Sequence, residues 1–268
     1  MIRVELRKLL RRPRTWVSIG MLCILPLIVA LLLKISGLAP RPGEGPAFLS
    51  AVLANGALFP AAALGIVLPL FLPVAVAVIA GDSIAGEAAA GTLRYLLTRP
   101  VGRTRLLVAK LGAILLFLLL AVSSVAATSY VIGVTLFGYQ PVITSLSGTA
   151  ITPTQLLERT VLVVLYIAWS MVGVASVALA LSTFTVSSLA ATLGALASLV
   201  LSQVLVSLDA AGAVSPYLPT RYWLSWVDLF RDPILWHNVQ RGVVIQGVYV
   251  VLLLGVSWAR FMTKDITT

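Results

Sequence analysis

Six apolar runs, each about as long as a lipid bilayer is thick, leave this chain few ways to fold. A helix crosses the hydrocarbon core with about 20 mostly apolar residues. The runs lie at about 16–33, 58–80, 106–131, 160–181, 189–208 and 242–259. Together they take up most of the 268 residues, so little chain is left for a soluble domain. The expected architecture is one all-α polytopic membrane domain over residues 1–268 with six transmembrane helices. Only 10% of residues are charged, against roughly 25% in soluble domains, and the mean hydropathy is +1.05.

Local signals refine the runs. The second contains Pro60, Pro69 and Pro73; proline removes a ladder hydrogen bond, so this span should be kinked or broken. Before the fourth, Thr152 can cap a helix, Pro153 suits its first position, and Gln155 stands three residues after the cap. That helix is expected to begin outside the bilayer and to enter it near Arg159. The basic N-terminus resembles a signal peptide. Its apolar run is long, however, and no small-residue cleavage site follows, so a retained first span is expected.

Orientation follows from the basic residues. Six spans put both termini on one side. That side receives Arg3, Arg7, Lys8, Arg11, Arg12, Arg14, Arg94, Arg99, Arg103, Arg105, Lys110, Arg260 and Lys264, thirteen in all. The other receives Lys34, Arg41, Arg159, Arg221, Arg231 and Arg241, six in all. The positive-inside rule then places both termini in the cytoplasm, and with them the short loop LSTFTVSS between spans four and five. This asymmetry explains the net charge of +10 without nucleic acid as a partner.

Three segments at the membrane edges stand out. Residues 1–13 form an expected interface helix, with Ile2, Leu6, Leu9 and Leu10 on one face and Arg3, Arg7 and Arg11 at four-residue spacing on another, beside Lys8. Pro13 separates it from span one, and Trp16 marks the boundary. It suits a surface of anionic lipid and equally contact with a cytoplasmic partner. On the outer side, SPYLPTRYWLSWVDLFRDPILWHNVQR carries Tyr217, Tyr222, Trp223, Trp226 and Trp236. Those residues predict short amphipathic helices anchored at the outer surface.

The third segment is GDSIAGEAAAGTLRYLLTRPVGRTRLLVAK, Gly81 to Lys110. Ala88–Ala90 favour helix, and Leu93, Leu96 and Leu97 fall at helical spacing. Gly91 costs a helix about 1 kcal/mol relative to alanine, which points to close packing or a bend. Pro100 ends the helix in a turn. A short helix with an apolar side follows, and a purely solvated loop would not need that side.

These residues resemble the permease subunits of ABC-2 type transporters. In that family the segment after span two reads as an acidic residue, Gly-Glu, Gly-Thr-Leu, a leucine pair, Pro, and Arg before a Lys. Here these are Asp82, Gly86, Glu87, Gly91, Thr92, Leu93, Leu96, Leu97, Pro100, Arg103 and Lys110. The ending with Phe261, Lys264 and Asp265 is similar to the family's Phe-x-x-Lys/Arg-Asp. Ala88–Ala90 stand where many members carry a second acidic residue. The resemblance implies a coupling helix between spans two and three that docks on a separate ATPase, its apolar face buried and Arg94 and Arg99 paired with acidic groups. It also implies two ATPase copies, a second permease copy, and ATP and Mg held by the ATPase, with no cofactor on this chain. The cell membrane is the implied location and export the implied direction. Nothing in the chain looks degenerate, which favours a homodimer over a heterodimer.

Other chemistry is sparse. The sequence contains no Gly-x-x-x-x-Gly-Lys-Ser/Thr phosphate loop. It has no Gly-x-Ser-x-Gly elbow, and His237, the one histidine, reads as a surface group and not a metal ligand. Cys23 cannot form an internal disulfide. Ser123, Ser124, Thr128, Ser129, Gly173 and Ser176 are small residues suited to helix packing. An ion-coupled carrier would need ionisable residues at mid-membrane depth, and the six runs carry none away from their ends. A membrane-embedded assembly protein is the other alternative. No substrate-binding residue stands out; neutral spans favour amphiphilic or lipid-like cargo.

Overall fold

A computed structural model describes residues 2–36, 52–53, 55–91, 102–140, 143–144, 148–208 and 212–263. The helices are α1 (Ile2–Arg11), α2 (Pro13–Ser36), α3 (Phe59–Val67), α4 (Phe71–Ala89), α5 (Arg103–Phe137), α6 (Pro153–Phe184), α7 (Ser188–Ser207) and α8 (Trp236–Thr263). Six of them, α2 and α4 to α8, are long and apolar enough to cross a membrane. The chain is therefore an all-α, multi-pass membrane protein. A two-residue antiparallel pair, Ile143–Thr144 with Ala150–Ile151, decorates the α5–α6 connection.

Helices α4, α5 and α6 form the centre. Helix α2 lies on α5, α7 on α4 and α6, and α8 chiefly on α6. Leu72, Ile84, Ile114, Phe117 and Leu118 are fully buried among them. Lipid is as apolar as leucine, so close packing and interhelical hydrogen bonds hold these contacts. Ser129, Gly173 and Ser176 sit at buried positions, whereas Ser123 and Thr128 are exposed.

The second apolar run is broken where its prolines stand. A 3₁₀ turn, Gly56–Leu58, starts it, with the Asn55 side chain accepting a hydrogen bond from Ala57 N–H at 3.0 Å. Helix α3 follows with Pro60 in its first turn and packs on α5. The chain turns at 68–70, and α4 then packs on α6 and α7. Helix α4 runs to Ala89, well past the expected end at 80. Asp82, Ser83 and Glu87 find partners within the protein, so a hydropathy reading ends the span too early.

The start of α6 has the geometry its residues call for. Thr152 Oγ1 accepts from Gln155 N–H at 3.3 Å, and Gln155 Oε1 accepts from Thr152 N–H at 2.9 Å. Arg159 does not simply mark entry into the bilayer. It is buried, donating to the Arg231 carbonyl at 3.1 Å and lying 3.5 Å from an Asp232 carboxylate oxygen.

The segment between α7 and α8 corrects the expectation of surface-lying amphipathic helices. It forms two 3₁₀ stretches, Gly212–Tyr217 and Trp223–Phe230. The second packs between α6 and α8, with Trp223 and Trp226 buried and Trp226 edge-on to Phe230 at 6.2 Å. Side chains of three helices fasten this segment. Tyr166 Oη donates to Tyr222 O at 2.6 Å, Gln246 Nε2 donates to Pro219 O at 2.6 Å, and Ser202 and Thr220 share a hydrogen bond of 2.8 Å.

Helix α1 also departs from its expected face. Glu5 and Leu9 are buried against the bundle, while Ile2 and Leu10 are exposed. Charge pairing selects this face: Lys8 meets Glu87, and Glu5 lies 3.8 Å from Lys110. Thr15 Oγ1 donates to Leu9 O at 2.7 Å and Trp16 Nε1 to Leu10 O at 2.8 Å. These bonds fasten the last turn of α1 to the first turn of α2.

Candidate functional site

Both ends of the described chain meet at one end of the bundle. Arg103, in the first turn of α5, donates to the carbonyls of Phe261 at 3.1 Å and Met262 at 2.7 Å. Those carbonyls close the last turn of α8, where a cation is favourable. Trp258 Nε1 donates to Thr104 Oγ1 at 2.9 Å, and Arg260 stacks 5.6 Å from the Phe184 ring.

Beside them lies a cluster of ion pairs built by α1, α4 and α5. Glu87, in the last turn of α4, is buried. Its carboxylate lies 2.6 Å from Lys110 Nζ and accepts a hydrogen bond from Lys8 Nζ. Lys110 is buried as well; it also donates to Ser83 O at 2.6 Å and lies 3.8 Å from Glu5. Two carboxylates thus meet two ammonium groups in a nearly dry space. One turn further from the α4 C-terminus, Asp82 lies 3.1 Å from Arg12 and 3.5 Å from Arg14. The arginine side chains of these outer pairs are exposed while Asp82 is half-buried, so water screens the pairs and each contributes little on its own.

The glycines of the segment have distinct jobs. A Cβ on Gly86 would run into the Asp82 carboxylate, with Asp82 Cγ at 2.7 Å. Gly86 therefore leaves the space through which Asp82, one turn earlier, reaches the arginines. Gly91 has φ +67, and its N–H bonds to Ala88 O at 3.0 Å. It ends α4 in the left-handed conformation that glycine adopts without strain. Among the described residues an added Cβ there would meet nothing within 4 Å, so the bend accounts for this glycine.

One polar contact links this end of α4 to α6. The Ser182 hydroxyl donates to Gly81 O at 2.7 Å and accepts from Ala85 N–H at 2.8 Å and Ile84 N–H at 3.2 Å. Gly81 C=O and Ala85 N–H are the two groups an α-helix would pair with each other.

Of the residues singled out in sequence, Asp82, Glu87 and Lys8 come together, Gly86 and Gly91 shape the helix beside them, and Arg103 binds the end of α8. Thr92, Leu93, Arg94, Leu96, Leu97, Arg99 and Pro100 lie outside the described residues, as do Lys264 and Asp265. Arg3, Arg7 and Arg11 are exposed on α1. Lys110, matched to the family pattern in sequence, is central to the cluster, and Glu5, Arg12, Arg14 and Ser182 are additional members. Sequence periodicity does not reveal them, because each partner is distant in the chain.

The family model for ABC-2 family transporter proteins matches residues 1–204. The chain belongs to the ABC-2 transporter family. The match takes in α1 to α6 and nearly all of α7, and so the whole ion-paired cluster of this ABC-2 permease. The Trp223–Phe230 stretch and α8 lie beyond it. No curated protein matches the chain.

Proposed function

We propose that this ABC-2 family chain is the permease subunit of an ATP-driven exporter. A separate ATPase subunit supplies the energy and holds ATP and Mg. The end bearing the ion-paired cluster faces the cytoplasm of the cell membrane. A second copy of the chain completes the membrane part, with two ATPase copies beneath, and the spans alternate between conformations as the ATPases close.

The observation that carries this reading is the position of the Glu87–Lys110 pair. It joins the last turn of α4 to the second turn of α5. Residues 92–101 are the connection between those turns. A push on that connection reaches two helices already bonded to each other and, through Lys8 and Glu5, to α1. The connection carries Leu93, Leu96, Leu97, Arg94 and Arg99, a set suited to an apolar groove with acidic edges on the ATPase.

The test is recovery of the ATPase on a tagged permease carrying Leu96→Asp with Arg94→Glu. Loss of a desolvated interface contact costs about 2 kcal/mol or more, so ATPase recovery and transport should be lost while the permease still inserts and keeps its melting temperature. Normal recovery would show that the 92–101 connection is not the docking surface. Hydrolysis of ATP by the purified chain alone would overturn the division of labour.

A further inference from the structure

At the opposite end of the bundle a groove of about 500 Å³ opens between the 3₁₀ stretch Gly212–Tyr217 and the first turns of α8. Its lining includes Tyr217, Tyr222, His237, Gln240, Arg241 and Val244. Among the described residues, neither Arg241 nor His237 makes an ion pair or a side-chain hydrogen bond. Elsewhere at this end Arg159 pairs with Asp232 and Arg231 with Asp228 at 3.0 Å; Arg221 is exposed and, among the described residues, also without an ion pair, but it does not line the groove.

The depth of Arg241 is defined by α8 itself. Between Arg241 and Arg260 the helix carries no charged residue. At 1.5 Å per residue the two arginines stand about 28 Å apart along the axis, close to the roughly 30 Å of a hydrocarbon core. Arg241 therefore sits at the level of the lipid phosphates. Below it on the same helical face come Val244, Val248 and Val251, which are 64%, 52% and 71% exposed. Val244 to Val251 covers about 10 Å of axis, within the depth of one leaflet.

The groove is built before any ligand arrives. Tyr249 Oη donates to Tyr217 O at 3.1 Å and Tyr166 Oη to Tyr222 O at 2.6 Å, which fixes one wall at both ends. Gly242 lets that wall approach α8, since a Cβ there would meet Tyr222 Cβ at 2.9 Å and press on the Tyr166 hydroxyl.

We propose that this groove binds an anionic phospholipid, its phosphate held by Arg241 beside His237 and one acyl chain lying along Val244, Val248 and Val251. An unpaired guanidinium suits a phosphate through two parallel N–H donors. Tyrosine suits the headgroup boundary, and the valine stripe explains why the site takes a lipid and not a free anion. The inference requires only that the chain spans a bilayer, so it stands or falls separately from the pump reading.

The test uses the full-length protein in detergent, titrated with phosphatidylglycerol and read by native mass spectrometry. Arg241→Gln should lower lipid occupancy about tenfold, the loss of one charge-assisted contact. Arg221→Gln, at an exposed arginine outside the groove, should leave it unchanged. Val244→Trp should also lower occupancy, because it fills the chain's path while keeping the cation. Inorganic phosphate and glycerophosphate at millimolar concentration should not displace the lipid. Equal losses with Arg241→Gln and Arg221→Gln would reduce the effect to general surface charge and overturn the site. Unchanged binding with Val244→Trp, or with Arg241→Gln, would do the same. Displacement by free phosphate would overturn the lipid as occupant. A Val244→Trp protein that loses dimerisation but keeps its lipid would make the stripe a protein interface instead.

Discussion

Replacing Lys110 by methionine tests the ion-paired cluster most directly. Lys110 and Glu87 are buried, with 2% and 4% of their side chains exposed, and Glu5 lies 3.8 Å away. The wild-type cluster holds two carboxylates and two ammonium groups. Lys110→Met leaves both carboxylates to Lys8, whose side chain is 36% exposed, and also removes the donor to Ser83 O. Removing one partner of a fully buried pair costs about 3–5 kcal/mol; Glu87 keeps its Lys8 contact, so the loss should lie near the lower end, about 3 kcal/mol. Glu87→Leu with Lys110→Met removes the pair together and should recover most of that loss, since apolar replacements of buried pairs are often neutral. The two substitutions should therefore be non-additive by at least about 2 kcal/mol. The assay is thermal melting in detergent of fluorescently tagged wild type, both single variants and the double variant, followed by size exclusion. A Lys110→Met protein that melts with the wild type, or a double variant showing the sum of the two single losses, would refute the reasoning.

Three further outcomes follow from the geometry. Gly86→Ala should move the Asp82 carboxylate away from Arg12 and Arg14 with little change in melting temperature, and double-mutant cycles with Arg12→Gln should show the coupling gone. Ser182→Ala should destabilise by about 0.6 kcal/mol, the average for interhelical hydrogen bonds in membranes, and by no more than about 1.7 kcal/mol, and the melting curve of Ser182→Thr should tell loss of the hydroxyl from loss of space. Gly242→Val should cost about 1–3 kcal/mol as overpacking against Tyr166 and Tyr222, and tryptophan fluorescence should report a shifted Trp223–Phe230 stretch.

Much of this architecture is legible in the residues because it is local. Six apolar runs are a matter of length, the break in span two of its prolines, and the start of α6 of Thr152, Pro153 and Gln155. What escapes is what depends on partners far along the chain. Amphipathic reading turns α1 with Ile2 and Leu10 inward, but Glu5 and Lys8 turn it toward Lys110 and Glu87 instead. Lys110 stands in the family pattern and among the flanking cations, but its pairing with Glu87 shows only once α1 and α4 surround it. Trp223 and Trp226 look like boundary anchors by residue type, and only the packing of α6 against α8 shows that they belong to the interior. Arg159 likewise finds its carbonyl and carboxylate more than seventy positions later.

The Ser182 hydroxyl bears on how α4 can move. Bending a helix in hydrocarbon ordinarily strips an N–H from its C=O and leaves both without water, at several kcal/mol each. Between Gly81 and Ala85 that obstacle is absent, because the carbonyl and the amide each already hold a hydroxyl from α6. The part of α4 that carries Asp82 and Glu87 thus follows a turn whose backbone groups hold a second hydrogen-bond partner, supplied by α6 and not by lipid.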